Sequence, residues 1–73
     1  MNKTNNTGNV TKNIATYISD NNINLSELAR KSGITYSLLY YSLGHKNRTR
    51  ELRASELVKI CSVLNINPMD FAD

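Results

Sequence analysis

The side chains best suited to bind a polyanion are concentrated in the middle of the chain. Residues 30–53 carry six basic side chains against Glu51 alone, a local charge of +5, whereas the rest of the chain sums to −2. This asymmetry favours a surface that faces a polyanion, although many domains with a basic side bind no nucleic acid. The six basic residues are Arg30, Lys31, Lys46, Arg48, Arg50 and Arg53.

Residues that could carry out other kinds of chemistry are scarce. Cys61 and His45 are each the only residue of their type, so the sequence predicts neither a disulfide nor a zinc site. We expect Cys61 to pack in the core and His45 to lie in a loop. The chain shows no acid–base pair, glycine-rich phosphate loop or metal-ligand cluster. We therefore expect no enzyme, no cofactor, no metal and no small-molecule ligand.

The sequence also predicts where the protein works. No apolar stretch approaches the roughly 20 residues that span a bilayer, and the polar N-terminus lacks the apolar run of a signal peptide. A single free thiol fits a reducing compartment. We therefore expect a cytoplasmic protein that makes no membrane contact.

The length and the apolar periodicity predict one small all-α domain of four or five short helices. Residues 1–9 are polar and are predicted to be a disordered tail, with the domain spanning residues 10–73. The first helix begins near Val10, with Asn9 or Thr11 as its cap, and Asn21-Asn22 ends it. Its apolar stripe consists of Val10, Ile14, Tyr17 and Ile18.

The C-terminal part of the chain predicts two more helical segments. The first runs from about Ala54 to Leu64 and the second begins at Asn67-Pro68, because Asn caps helices well and Pro suits the first helical position. The inner face of the longer helix consists of Leu57, Ile60, Cys61 and Leu64.

Between these helices lies a pattern typical of two helices joined by a tight turn. Asn24 and Glu27 form a capping-box-like Asn-x-x-Glu that begins the second helix. Gly33 permits the left-handed backbone needed where the chain reverses. Thr35 caps a third helix, which runs from Tyr36 to about Leu43 and stops at Gly44.

The spacing Leu28-Ala29-x-x-x-Gly33-Ile34-Thr35-x-x-x-Leu39 predicts a helix-turn-helix over residues 24–43. The motif needs a small residue where the two helices touch, and Ala29 is that residue. Four positions later it needs a residue that lets the chain reverse direction, and Gly33 meets this need. Ile34 and Leu39 supply the apolar contacts. The second helix of such a motif enters a DNA major groove, whereas an αα-hairpin that binds nothing shares only parts of the pattern.

Residues 14–71 resemble the lambda-repressor/Cro-type helix-turn-helix family. The resemblance implies a lambda-repressor-like fold and a phage or bacterial transcriptional regulator of the repressor or Cro type. Such a regulator acts by operator occupancy, with double-stranded DNA as partner and usually as a homodimer on DNA. The matching motifs are Leu28-Ala29, Gly33-Ile34-Thr35, Gly44-His45-Lys46 and Leu64-Asn65-Ile66.

The chain departs from the family's pattern in three places. Where many members bury an Arg against a Glu, this chain has Ile18 and Leu43, and replacing both partners of a buried pair is often neutral or stabilising. Gly44 arrives one position early. The connection from Gly44 to Leu57 is slightly longer than in compact repressors.

The resemblance also implies which side chains of the third helix contact base edges. These are Tyr36, Ser37 and Tyr41, with Leu38 or Tyr40 at the margin. The alternative is that one or two of the tyrosines pack on the core or on a dimer surface. We expect Tyr36 and Tyr41 to point outward.

Phosphate contacts are predicted beside the groove, because the basic loop directly follows the third helix and the second helix presents its amino end. A simply solvated loop is the alternative. The predicted phosphate-binding residues are Asn24, His45, Lys46, Asn47, Arg48 and Arg50.

Two other functions remain compatible with the sequence. A protein-interaction module, such as an antirepressor or an adaptor, would use the same fold to hold a protein partner. The antitoxin of a toxin–antitoxin pair would bind both DNA and a toxin. The polar, basic surface favours DNA, since a partner-binding helix normally exposes a larger apolar patch.

Overall fold

The computed structural model describes residues 7–44 and 50–72, without the side chains of residues 7–9. Over these residues the fold is all-α, as predicted, with four α-helices and no strand. The helices are α1 (Thr7–Asp20), α2 (Leu25–Ser32), α3 (Tyr36–Leu39) and α4 (Ala54–Leu64). Two further helical turns are a π-helical turn over Tyr40–Gly44 and a 3₁₀ turn over Pro68–Phe71.

The boundaries of the first and last helices test the predictions made from capping residues. The α4 bounds agree with the prediction, and Asn67 caps the 3₁₀ turn by accepting from the Met69 amide at 2.9 Å. By contrast, α1 begins at Thr7, so the predicted caps Asn9 and Thr11 lie inside the helix. Residues 1–6 of the predicted tail lie outside the described residues.

The core is formed where α1, α2 and α4 meet the third helix. Ile14, Leu28, Leu39 and Ile60 are almost completely buried there, and Cys61 packs beside them as predicted. Burying each large aliphatic side chain contributes about 1.5–3 kcal/mol, which holds the short helices together.

The turn between α2 and α3 has the predicted geometry. The Asn24 side chain accepts from the Glu27 amide at 3.0 Å and so caps α2. Gly33 has a φ of +77°, and its amide donates to the Ala29 carbonyl at 2.9 Å. The Glu27 carboxylate does not reach back to Asn24. Its Oε1 instead accepts from Nη2 of the exposed Arg30 at 2.7 Å.

The third helix is not a regular α-helix over its full predicted length. It is α-helical to Leu39 and then π-helical over Tyr40–Gly44, a wider turn whose characteristic hydrogen bond joins residues five apart. A Cβ atom on Gly44 would lie 2.7 Å from Leu25 Cδ1 and 2.9 Å from Tyr40 Cδ1. Gly44 therefore allows the close packing of this turn on α2.

The predicted apolar replacement of the family's buried ion pair has the expected placement. Ile18 and Leu43 are both buried and line the same cleft, which lies between α1 and the π-helical turn. Two apolar side chains need no compensating charges or hydrogen bonds at this position.

Candidate nucleic-acid interface

One face of the third helix is exposed and rich in tyrosine. Tyr36 and Tyr41 retain 49% and 50% of their surface and Leu38 retains 39%, and Ser37 is also exposed. These four residues form what we call the recognition face. The outward placement of Tyr36 and Tyr41 agrees with the expectation from the sequence.

Tyr40 lies between the other two tyrosines and is only partly exposed. Its ring stacks on Tyr36 with centroids 6.2 Å apart and meets Tyr41 edge-on at 5.5 Å. Such aromatic geometries are favourable beyond simple burial of area. Because Tyr40 also packs against Gly44, it is well placed to hold the neighbouring tyrosines in position.

The inward side of the same helix fixes how the recognition face is presented. Leu39 and Leu43 are buried in the core, and Ser42 is fully buried beside them. The side chains at one helix face thus anchor the segment, while those between them face outward.

The predicted phosphate contacts are only partly covered by the structure. His45, Lys46, Asn47 and Arg48 lie outside the described residues. Asn24 is exposed at the amino end of α2, but its side-chain oxygen already accepts from the helix backbone. A phosphate near this end would therefore meet backbone amides of the first turn.

Arg50 was predicted to bind phosphate, but the structure gives it internal partners. Its Nη2 donates to both carboxylate oxygens of Glu56, at 3.0 and 3.1 Å. Its Nη1 donates to Ser42 Oγ at 2.9 Å and to the Leu38 carbonyl at 3.4 Å. The guanidinium is therefore paired with Glu56 and bonded to two groups of the third helix, and its predicted phosphate contact stays a prediction.

Sequence reasoning missed the partners of Arg50 because they lie on two other elements. The available signal was Glu56, an acidic residue in the first turn of α4, where the helix dipole favours negative charge. Nothing in the sequence pairs that carboxylate with Arg50, or either of them with Ser42.

Three of the four basic residues that the structure describes between residues 30 and 53 have an acidic partner. Arg30 and Lys31 both face the Glu27 carboxylate, at 2.7 and 3.8 Å, although such exposed pairs are weak. Arg50 pairs with Glu56. Of the basic residues described between residues 30 and 53, Arg53 is the one that forms no ion pair with another described residue.

Other kinds of site find little support in the described part of the chain. No group of three potential metal ligands occurs there, and none of its helices is long and apolar enough to cross a membrane. Cys61 is buried, and burial raises the pKa of its thiol because the thiolate is poorly solvated there.

Comparison with known proteins identifies the family of this arrangement. The family model of the Cro/C1-type HTH DNA-binding domain matches residues 13–73, which include the turn and the recognition face. Neither a curated protein nor a solved structure matches the chain. The matched domain is a non-enzymatic fold that binds double-stranded DNA. The chain belongs to the Cro/C1-type helix-turn-helix DNA-binding family.

Proposed function

We propose that this DNA-binding regulator is a phage repressor or Cro-type transcription factor that acts in the cytoplasm by occupying an operator. The observation that carries the proposal is the exposed recognition face on the second helix of a helix-turn-helix. That helix enters the major groove, and bound protein then blocks access to the site.

The chemistry of the recognition face suits base edges. A tyrosine hydroxyl donates to or accepts from a base, and its ring contacts a thymine methyl group. Ser37 adds a second hydroxyl and Leu38 a further apolar contact. We therefore assign base contacts to Tyr36, Ser37 and Tyr41, with Leu38 at the margin and Tyr40 supporting them.

Phosphate contacts would fix the register of the helix in the groove. We assign them to the amino end of α2 at Asn24 and to the residues that follow the third helix in the sequence, His45, Lys46, Asn47 and Arg48. Phosphate contacts orient a protein on the duplex but do not distinguish sequences.

We further propose that two copies bind as a homodimer assembled on DNA. Within residues 64–72, Met69 is highly exposed, whereas Phe71 packs edge-on against Tyr17 with centroids 5.3 Å apart. Phe71 is thus engaged within its own chain, and little apolar surface remains there for a partner. A stable free dimer normally buries well over 1,000 Å² in total, so we expect the DNA to bring the copies together.

Selection of bound sites from random duplex DNA tests the proposal. We expect an enriched, two-fold symmetric site whose half-sites lie about 10 base pairs apart. Enrichment of a single half-site would contradict the dimer, and failure to enrich any sequence would contradict operator recognition. An Arg48→Ala variant should bind selected and random DNA less well by about the same factor.

A protein-interaction module is the second candidate, favoured by one specific observation. Tyr36, Leu38 and Tyr41 expose aromatic and aliphatic surface on the third helix, as a protein partner would require. The two functions differ in their response to salt. Binding to DNA weakens steeply as the salt concentration rises, because the release of counterions from the duplex becomes less favourable. An apolar protein contact responds little to salt.

A further inference from the structure

The π-helical turn contains a buried hydroxyl group that is satisfied from outside the helix. Ser42 is fully buried, and its Oγ accepts from Arg50 Nη1 at 2.9 Å. A buried polar group without a partner is destabilising, because it has given up its hydrogen bonds to water. The buried hydroxyl of this turn therefore has its partner in a side chain eight residues further along the chain.

Arg50 also reaches the place where the helix changes its hydrogen-bonding pattern. Nη1 lies 3.4 Å from the carbonyl of Leu38, a long and weak hydrogen bond one turn before Ser42. When a helix changes from i→i−4 to i→i−5 bonding, its carbonyls near the junction lose their regular partners. A side-chain donor inserted there stabilises the irregular geometry.

Glu56 holds the guanidinium in this position. Its two oxygens accept from Nη2, and its Oε1 also accepts from the Arg53 amide at 2.9 Å, at the beginning of α4. Side-chain exposure is only 22% for Arg50 and 13% for Glu56, so water competes weakly for the pair. A continuous set of hydrogen bonds thus connects the amino end of α4 to the third helix.

We propose that Arg50 and Glu56 are positioning residues that maintain the π-helical turn and so set the direction of Tyr41 relative to Tyr36. The turn contains one more residue than an α-helical turn, which rotates the residues after Tyr40. This inference rests on the proposed function, because it concerns how the two tyrosines are presented to DNA together.

Substitution of either partner tests the role through DNA recognition. Arg50→Gln and Glu56→Gln should each lower the ratio of selected-site to random-site affinity by about tenfold, the effect of roughly one base contact. Arg50→Gln and Glu56→Gln combined should lose little more than either alone, because both act through one network. Lys59→Gln, on the exposed face of α4, is the charge-matched control and should leave the ratio unchanged.

The salt dependence separates positioning from phosphate binding. If Arg50 only positions the helix, Arg50→Gln leaves the slope of log affinity against log salt unchanged. If Arg50 binds phosphate, that substitution reduces the slope by about 0.9, and Glu56→Gln strengthens binding to every duplex. A reduced slope for Arg50→Gln, together with tighter binding of Glu56→Gln to every duplex, would overturn the proposal.

A measurement without DNA keeps the test independent of the proposed function. Amide hydrogen exchange should become faster at residues 42–44 in Arg50→Gln and remain slow in α2. If Arg50→Gln does not fold, Arg50→Lys retains the charge but cannot donate to Ser42 and Glu56 with the same fork geometry. Unchanged exchange in the turn would overturn the positioning role, whereas wild-type protein that fails to distinguish DNA sequences would contradict the proposed function alone.

Discussion

At the scale of single residues, the three tyrosines of the third helix have different surroundings. Tyr36 and Tyr41 each keep about half of their surface exposed, whereas Tyr40 lies between them and against Gly44. Their difference follows from the helix period, because three side chains within six residues do not share one face. The two outer rings are thus available for DNA.

Tyr36→Ala and Tyr41→Ala should each reduce discrimination between the selected site and random DNA by about 5- to 100-fold. Binding to random DNA should change much less, since it depends on phosphate contacts. Fluorescence anisotropy with both duplexes measures the two affinities. Val58→Ala removes exposed apolar surface on α4 and serves as the control; equal losses on both duplexes in the tyrosine variants would contradict base contact.

Cys61 gives the folded protein a specific response to alkaline pH. Burial raises the pKa of the thiol above its ordinary value, so the folded state keeps a proton that the unfolded chain has lost. The contribution to stability is constant below the ordinary thiol pKa, about 8.5, and decreases as pH rises toward the folded value. Urea denaturation should show wild-type protein losing stability relative to Cys61→Ala above that pH. A difference between the two proteins that stays constant with pH would contradict this.

At the scale of elements, local signals predicted the turn but not the shape of the helix that follows it. Asn24 and Gly33 act on atoms within a few residues of themselves, so their types and spacing were sufficient. The π-helical turn is contacted by Leu25 and Arg50 from neighbouring elements. Such contacts are set by tertiary packing, and the apolar periodicity of residues 36–43 does not reveal them.

The two glycines that flank the third helix should respond differently to alanine. Gly44→Ala places a Cβ against Leu25 and Tyr40, and overpacking of this kind costs about 1–3 kcal/mol. Gly33→Ala meets no atom within 4 Å and carries only the cost of a left-handed backbone, about 1–2 kcal/mol.

A second substitution distinguishes these two causes in denaturation experiments. Leu25→Ala removes one of the atoms that the new Cβ would approach, so it should offset part of the cost of Gly44→Ala and none of the cost of Gly33→Ala. Additive losses in both double variants would contradict the packing role of Gly44.

At the scale of the whole molecule, α1 connects distant parts of the chain. Thr11 Oγ1 accepts from the buried Leu52 amide at 3.0 Å, and Asn13 Nδ2 donates to the Phe71 carbonyl at 2.9 Å. The sequence predicted Thr11 as a helix cap, since nothing local indicates an acceptor for an amide 41 residues away. The helices and core were predictable from periodicity, but these connections were not.

Thr11→Val should destabilise the domain by about 1–3 kcal/mol, because it leaves the buried Leu52 amide without its acceptor while preserving the side-chain shape. Thr11→Ser retains the hydroxyl and should recover most of that loss. Thermal or urea denaturation measures both variants. Equal stability of the Val and Ser variants would show that the hydrogen bond contributes nothing.

The central claim, that the recognition face binds duplex DNA and distinguishes its sequence, is tested most directly by one titration. The affinity of the whole chain is measured for a selected duplex and a scrambled duplex of equal length, from about 50 to 200 mM salt. We predict that both affinities fall linearly on logarithmic axes and that the selected duplex binds more tightly throughout. Equal affinities, or affinities that do not change with salt, would contradict the claim.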